Sequence, residues 1–187
     1  MRITLLTALV LVPALALGAC TDTPDSPETT ASVTTEAADT DSRDALLHRL
    51  IEEEKVAHDL YTAFDERYGL QVFTNITRGE VGHQDAVLRV LDAAGADDPR
   101  TGTPGEFTDP ELQEVYDDFL ARGLISETAA YQVGVDFEVW DIAGLEAELV
   151  AAPADDTELR ELLQFLIDGS QRHLAAFERQ LERPRGR

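Results

Sequence analysis

The sequence has one cysteine, Cys20, in 187 residues. A disulfide framework is therefore excluded, and a zinc–thiolate site is disfavoured. Positive charge is also scarce: 15 Lys and Arg stand against 37 Asp and Glu, a formal net charge of −22. Such a chain repels nucleic acid and anionic lipid headgroups, so no nucleic-acid partner is expected. No segment alternates apolar and polar residues in the manner of a strand, and there is neither a phosphate-cradling glycine loop nor a serine-nucleophile elbow. After residue 17 no apolar run is long enough to cross a bilayer, which takes about 20 residues.

What is present begins with Arg2 and an almost unbroken apolar run from Ile3 to Leu17. With Pro13 inside it, the run is too short for a stable span and reads as an export signal. Leu17-Gly18-Ala19-Cys20 resembles the lipobox of bacterial lipoproteins, which implies acylation of Cys20 and a lipid anchor in the cell envelope. Residues 1–20 are thus expected to be a lipoprotein signal peptide. Residues 21–43, rich in Thr, Asp, Ser and Ala, are expected to form a disordered acidic tether, because they offer too little apolar surface to fold. Residues 44–183 are expected to fold as one helical domain, a monomer or small oligomer.

Within that domain the apolar spacing is helical throughout. A first helix is expected from Asp44 to Tyr68, with Leu47, Leu50, Ile51, Ala57, Tyr61, Phe64 and Tyr68 on one face and Gly69 closing it. Leu70 to Phe73 would connect it to a second helix capped by Thr74 or Asn75 and ending at Gly95. A Pro- and Gly-containing loop follows, then a short helix with Asp109 as cap and Pro110 at its first position. Ser126 opens a longer helix that Pro153 ends, and Asp156 or Thr157 caps the last one. Four long helices with a long crossover carrying a short extra helix describe an all-α four-helix bundle.

Each long helix places polar residues in its apolar stripe. The first offers Glu54, with Glu52 and Glu53 pointing away. The second offers Glu80 and His83, the third long helix Glu138 and Asp141, and the last Ser170 and His173. Taken singly, His83 could be a hydrogen-bonded core histidine, Asp141 the partner of an arginine, and His173 the lid of a cavity. Together, four carboxylates converging in one core repel and take up protons unless cations hold them. Glu54, Glu80, His83, Glu138, Asp141 and His173 are therefore candidate ligands for two metal ions; carboxylate and imidazole accept iron, manganese and zinc alike.

The motifs Glu52-Glu53-Glu54-Lys55-Val56-Ala57-His58-Asp59-Leu60-Tyr61, Phe73-Thr74-Asn75-Ile76 followed by Glu80-x-x-His83, Val133-Gly134 through Glu138-x-x-Asp141-Ile142, and Gly169-Ser170-x-x-His173 resemble the ferritin-like family called domain of unknown function 2202. The resemblance runs from about Leu46 to Leu181. It implies a ferritin-like bundle binding two irons or manganese ions through Glu and Glu-x-x-His on paired helices. This chain departs from the wider di-iron pattern at Ser170, where a ligand glutamate is expected; either Asp141 is a physically reasonable replacement or one metal position is left weak or empty. Three functions are then open: a di-iron or di-manganese redox protein with ferroxidase or peroxide chemistry, a non-catalytic metal-binding, storage or sensing module at the cell surface, or a scaffold whose polar core is residual.

Overall fold

The computed structural model describes the backbone of residues 30–183 and the side-chain surroundings of residues 41–183. The expected signal peptide, Cys20 and the first part of the tether lie outside the described residues. Among the described residues there are five helices and no strand: α1 (Thr30–Tyr68), α2 (Gln71–Ala94), α3 (Pro110–Gly123), α4 (Glu127–Ala151) and α5 (Thr157–Glu182). None of these helices is long and apolar enough to cross a membrane.

Two antiparallel hairpins make the fold. α1 packs along α2, α4 packs along α5, and the hairpins meet chiefly through α2 against α5. α3 lies on the crossover and bridges α1 to α4. The caps expected from sequence form in the second half of the chain. Asp109 accepts from Glu111 N and Leu112 N, Ser126 from Ala129 N, and Asp156 from Leu159 N.

Two boundaries differ from expectation. α1 begins at Thr30, so residues 30–43 are helical where a disordered tether was expected. The stretch contains neither proline nor glycine, and at its end Arg43 is tied to Asp156 (2.7 Å) and Glu158 (3.0 Å) at the start of α5. α2 begins at Gln71, ahead of the expected caps, with Leu70 as an N-cap that makes no side-chain bond. Both expected caps are engaged elsewhere: Thr74 donates to Asp65 Oδ2 (2.8 Å), and Asn75 accepts from Gln71 Nε2 (3.0 Å). Gly69, at φ 66°, turns the chain in the left-handed conformation, which glycine adopts without the clash a Cβ would bring.

The core falls into two apolar parts. One is aromatic, built around Tyr61, Phe64, Phe73, Phe137 and Phe177. The other is aliphatic, with Leu47, Leu50, Ile51, Val87, Leu91, Leu163 and Leu166. Along every long helix, buried polar side chains stand between these two parts: Glu54 on α1, Glu80 and His83 on α2, Glu138 and Asp141 on α4, and Ser170 on α5.

α1 is buried on a second face as well: Glu52 points away from the first stripe, as expected, and meets the crossover there. Glu52 is only 2 % exposed, and its carboxylate accepts from Thr108 N (2.7 Å), Thr108 Oγ1 (2.7 Å) and Asp109 N (2.8 Å). One and two turns on, Lys55 and Asp59 form a buried pair (2.6 Å). Lys55 also donates to the carbonyls of Thr103 and Glu106, while Asp59 accepts from Gly105 N. Burial alone would raise the Asp59 pKa, but His58, Lys55 and the Gly105 N–H hold it below the usual carboxylate value. These residues clamp the crossover onto α1. Glu52→Ala should leave the two backbone N–H groups without their acceptor and cost about 2–4 kcal/mol. A thermal melt should show this as a lowered midpoint with unchanged metal content in the folded protein; an unchanged midpoint would remove Glu52 from the clamp.

Candidate metal centre

The polar layer between the two apolar parts receives one or two side chains from each long helix. Glu54, Glu80, His83, Glu138 and Asp141 are buried, Glu80 almost completely at 1 % exposed. The His173 side chain is 12 % exposed. All six candidate ligands thus lie in one layer.

His83 Nδ1 donates to Glu54 Oε2 (2.9 Å) and lies 3.0 Å from Glu80 Oε2. The other oxygen of Glu80 lies 2.9 Å from His173 Nδ1, which is itself 3.7 Å from Glu138 Oε1. Glu80 therefore sits between the two imidazoles, whose rings stack with centroids 5.1 Å apart. Glu80 Oε1 and His173 Nδ1 are buried and close, yet they are not aligned for a hydrogen bond with each other or with any other group. Glu80, His83 and His173 each offer one donor atom within 4.8 Å of the others. Tyr61 donates to Glu138 Oε1 (2.7 Å) from the aromatic side. Asp141 is outside the cluster of Glu80, His83 and His173, within electrostatic reach of Glu54, Glu53 and Ser170. The Ser170 hydroxyl is 3.1 Å from the carbonyl of Leu166.

The electrostatics are those of a crowded anionic pocket. Burial, with repulsion from Glu80 and Asp141, pushes Glu138 well above the ordinary carboxyl value. Burial, with Glu54 and Glu53 nearby, does the same to Asp141. Burial raises Glu54 to about 7 against the pull of His83. Burial would raise Glu80 too, but the two imidazoles beside it outweigh that and hold it at about 2. Burial would lower His83, yet Glu54 and Glu80 carry it up to about 10. Tyr61, buried against Glu138, is raised well above 10.

Two residues that shape the site were not read from the sequence. Gly79 precedes Glu80, and a Cβ built on it would lie 2.6 Å from His173 Nε2. Gly169 precedes Ser170, and a Cβ there would overlap His83 Nε2 and Cε1. Each hairpin therefore supplies a lone Glu on its first helix and Gly-x-x-x-His on its second. Each glycine makes room for the imidazole of the other hairpin. The signal in the sequence is a glycine four residues before each inward histidine. Tyr61 was placed in the apolar stripe, where its ring does lie; its phenol as a partner of Glu138 became visible only in three dimensions.

Fold and site together define an all-helical protein with a buried layer of carboxylates and imidazoles between two hairpins. The chain belongs to the family described as uncharacterized protein domain DUF2202, whose model matches residues 42–187. It is 35 % identical over 131 residues to the uncharacterized protein MJ0754 of Methanocaldococcus jannaschii, covering 70 % of each chain. The crystal structure of hypothetical protein MJ0754 from Methanococcus jannaschii is similar to this fold with a TM-score of 0.71, at 30 % identity, over 86 % of this chain and 85 % of that one.

Proposed function

We propose that this is a ferritin-like metal-binding protein whose polar layer holds two ions of iron or manganese, and that it works as a redox protein at the cell envelope. The observation that carries this reading is the facing pair Glu80 Oε1 and His173 Nδ1. Both are buried, 2.9 Å apart, and without a hydrogen bond between them. Two donor atoms so placed are what a shared cation requires, and what an apolar core has no use for.

Charge supports it. Glu54, Glu80, Glu138 and Asp141 are four buried carboxylates. Fully ionised they carry four negative charges, which two divalent cations neutralise. Glu80, between both imidazoles, would hold the ions together with Glu54, His83, Glu138 and His173, and Asp141 would supply the carboxylate that Ser170 lacks. Carboxylate and imidazole donors suit iron and manganese, and also accept zinc. Bound iron or manganese would supply one-electron cycling with dioxygen or peroxide; the protein's part is to hold the carboxylates, exclude water from the layer and fix Glu138 through the Tyr61 phenol. The apolar leader ending in Leu17-Gly18-Ala19-Cys20 supports a lipid anchor at Cys20.

Protein purified without chelator should contain about two iron or manganese ions per chain, as dinuclear carboxylate bundles do. His83→Ala should lower that ratio and abolish metal-dependent stabilisation, whereas His48→Ala, away from the layer, should change neither. Asp141→Ala should also lower the ratio if Asp141 fills the place of the missing glutamate. Oxidation of added ferrous iron under air separates a redox protein from a storage or sensing module. A wild-type protein that binds no iron, manganese or zinc would end the reading.

A further inference from the structure

Where α1 passes α4 the two helices touch only lightly, and a groove of about 420 Å3 opens between them. Small residues on α4, among them Gly144, keep it open, and Arg49, Glu53, Trp140 and Glu148 line it. Asp141 is also in its wall, so the groove reaches the polar layer, on the side where Ser170 stands in place of a carboxylate.

The acidic residues of the groove are graded by depth. Glu148 is half-buried, the Glu53 side chain is 13 % exposed, Asp141 is 7 % exposed, and Glu54 behind it is 3 % exposed. Each lies within electrostatic reach of the next: Glu53 feels both Glu148 and Glu54, and Asp141 feels both Glu53 and Glu54. One cation sits among them. Arg49 Nε lies 2.9 Å from Glu53 Oε1, while its Nη1 bonds Asp109 Oδ2 (3.1 Å) and Glu111 Oε2 (3.4 Å) on the other side. Arg49 can therefore release Glu53 and remain paired.

We propose that this groove is the loading route for divalent cations into the polar layer, with Glu53 as the transfer ligand and Arg49 as the latch at its mouth. The proposal rests on the metal-binding reading above. A hydrated divalent ion crossing an apolar seam would lose its water without compensation. A ladder of carboxylates replaces that water one oxygen at a time, and the negative surface concentrates cations at the mouth. Arg49 opposes the incoming ion by charge and by occupying Glu53. The two unpartnered donor atoms of Glu80 and His173 mark where the ladder delivers.

The test is the rate of cobalt(II) uptake by metal-free protein, followed by stopped-flow visible absorbance, with the final cobalt-to-protein ratio measured separately. Glu53→Gln should slow loading by about ten-fold or more, the scale of an electrostatic steering loss, and leave the final ratio unchanged. Arg49→Gln should speed it. Gly144→Leu, whose side chain would enter open groove space, should slow it without altering charge. Glu146→Gln, exposed on the same helix and outside the groove, is the control. Full loading at wild-type rate in both Glu53→Gln and Gly144→Leu would overturn the route and leave the metal centre standing. A lowered final ratio in Glu53→Gln would make Glu53 a resident ligand and equally overturn its transfer role. No cobalt uptake by the wild-type protein would end the metal-binding reading itself.

Discussion

Gly169→Ala should destabilise the protein by about 3 kcal/mol and lower its metal affinity at least ten-fold, the scale of overpacking a core and of displacing a ligand's support. The added methyl would overlap His83 Nε2 and Cε1. His83 has no direction in which to yield. Its Nδ1 is held by Glu54 and Glu80, one ring face stacks on His173, and Phe165 meets it edge-on with centroids 5.6 Å apart. Relief must come from moving α5 away from α2, which disturbs the whole layer. Gly79→Ala should do the same to a smaller degree, since the more exposed His173 can shift outward. Gly82→Ala is the contrast: a Cβ there meets nothing within 4 Å, so the usual helical preference for alanine should stabilise by roughly 0.5–1 kcal/mol. Denaturant melts and metal titration of the three variants decide it; a Gly169→Ala protein as stable as wild type would show that the glycine is not there for the imidazole.

Metal-free protein should lose stability as pH rises from about 5 to 9, while the loaded protein should not. Glu54, raised from 4.5 to about 7, keeps a proton that the unfolded chain gives up, so its contribution is present in acid and is lost as pH climbs through 7. His83, raised from 6.5 to about 10, contributes below 6.5 and loses that contribution on the way to 10. Glu138 and Asp141 are raised by burial and act in the same direction. Glu80 works the other way: lowered from 4.5 to about 2, it contributes above 4.5 and fails only in stronger acid. At about 1.4 kcal/mol per pKa unit, the loss above neutrality is on the order of several kcal/mol. A bound cation replaces those protons and binds only the deprotonated ligands, so the loaded form gains stability over the same range. Scanning fluorimetry of both forms across this range should give slopes of opposite sign. Parallel slopes would mean that these groups do not exchange protons for metal.

The inward Glu54, Glu80, His83, Glu138 and Asp141 were legible because each interrupts a helical apolar stripe. A residue that breaks a strong pattern announces itself. The burial of Glu52 was not legible, for the complementary reason. Stripe reasoning gives a helix one buried face, and α1 has two, the second covered by a crossover whose path no local pattern encodes. The start of α2 was misplaced because Thr74 and Asn75 are good caps in principle, whereas here their side chains bond Asp65 and Gln71. The purpose of Gly79 and Gly169 is set by a side chain from another hairpin, which only the packing reveals.

The polar layer also fixes the register of the helices. On α5, Leu159, Leu162, Leu163 and Leu166 would fit nearly as well if the helix slid by one turn, since leucine would replace leucine against the aliphatic faces of α2 and α4. Such a slide would drive His173 toward the place of Phe177 among the aromatic rings or, in the other direction, bring Phe177 opposite Glu80. Either exchange leaves a buried charge without its partner, a penalty of several kcal/mol that no gain in apolar contact offsets. One histidine and one glutamate thus act as an alignment pin, much as a single polar residue sets the pairing of a coiled coil. Sliding is forbidden whether or not an ion is bound.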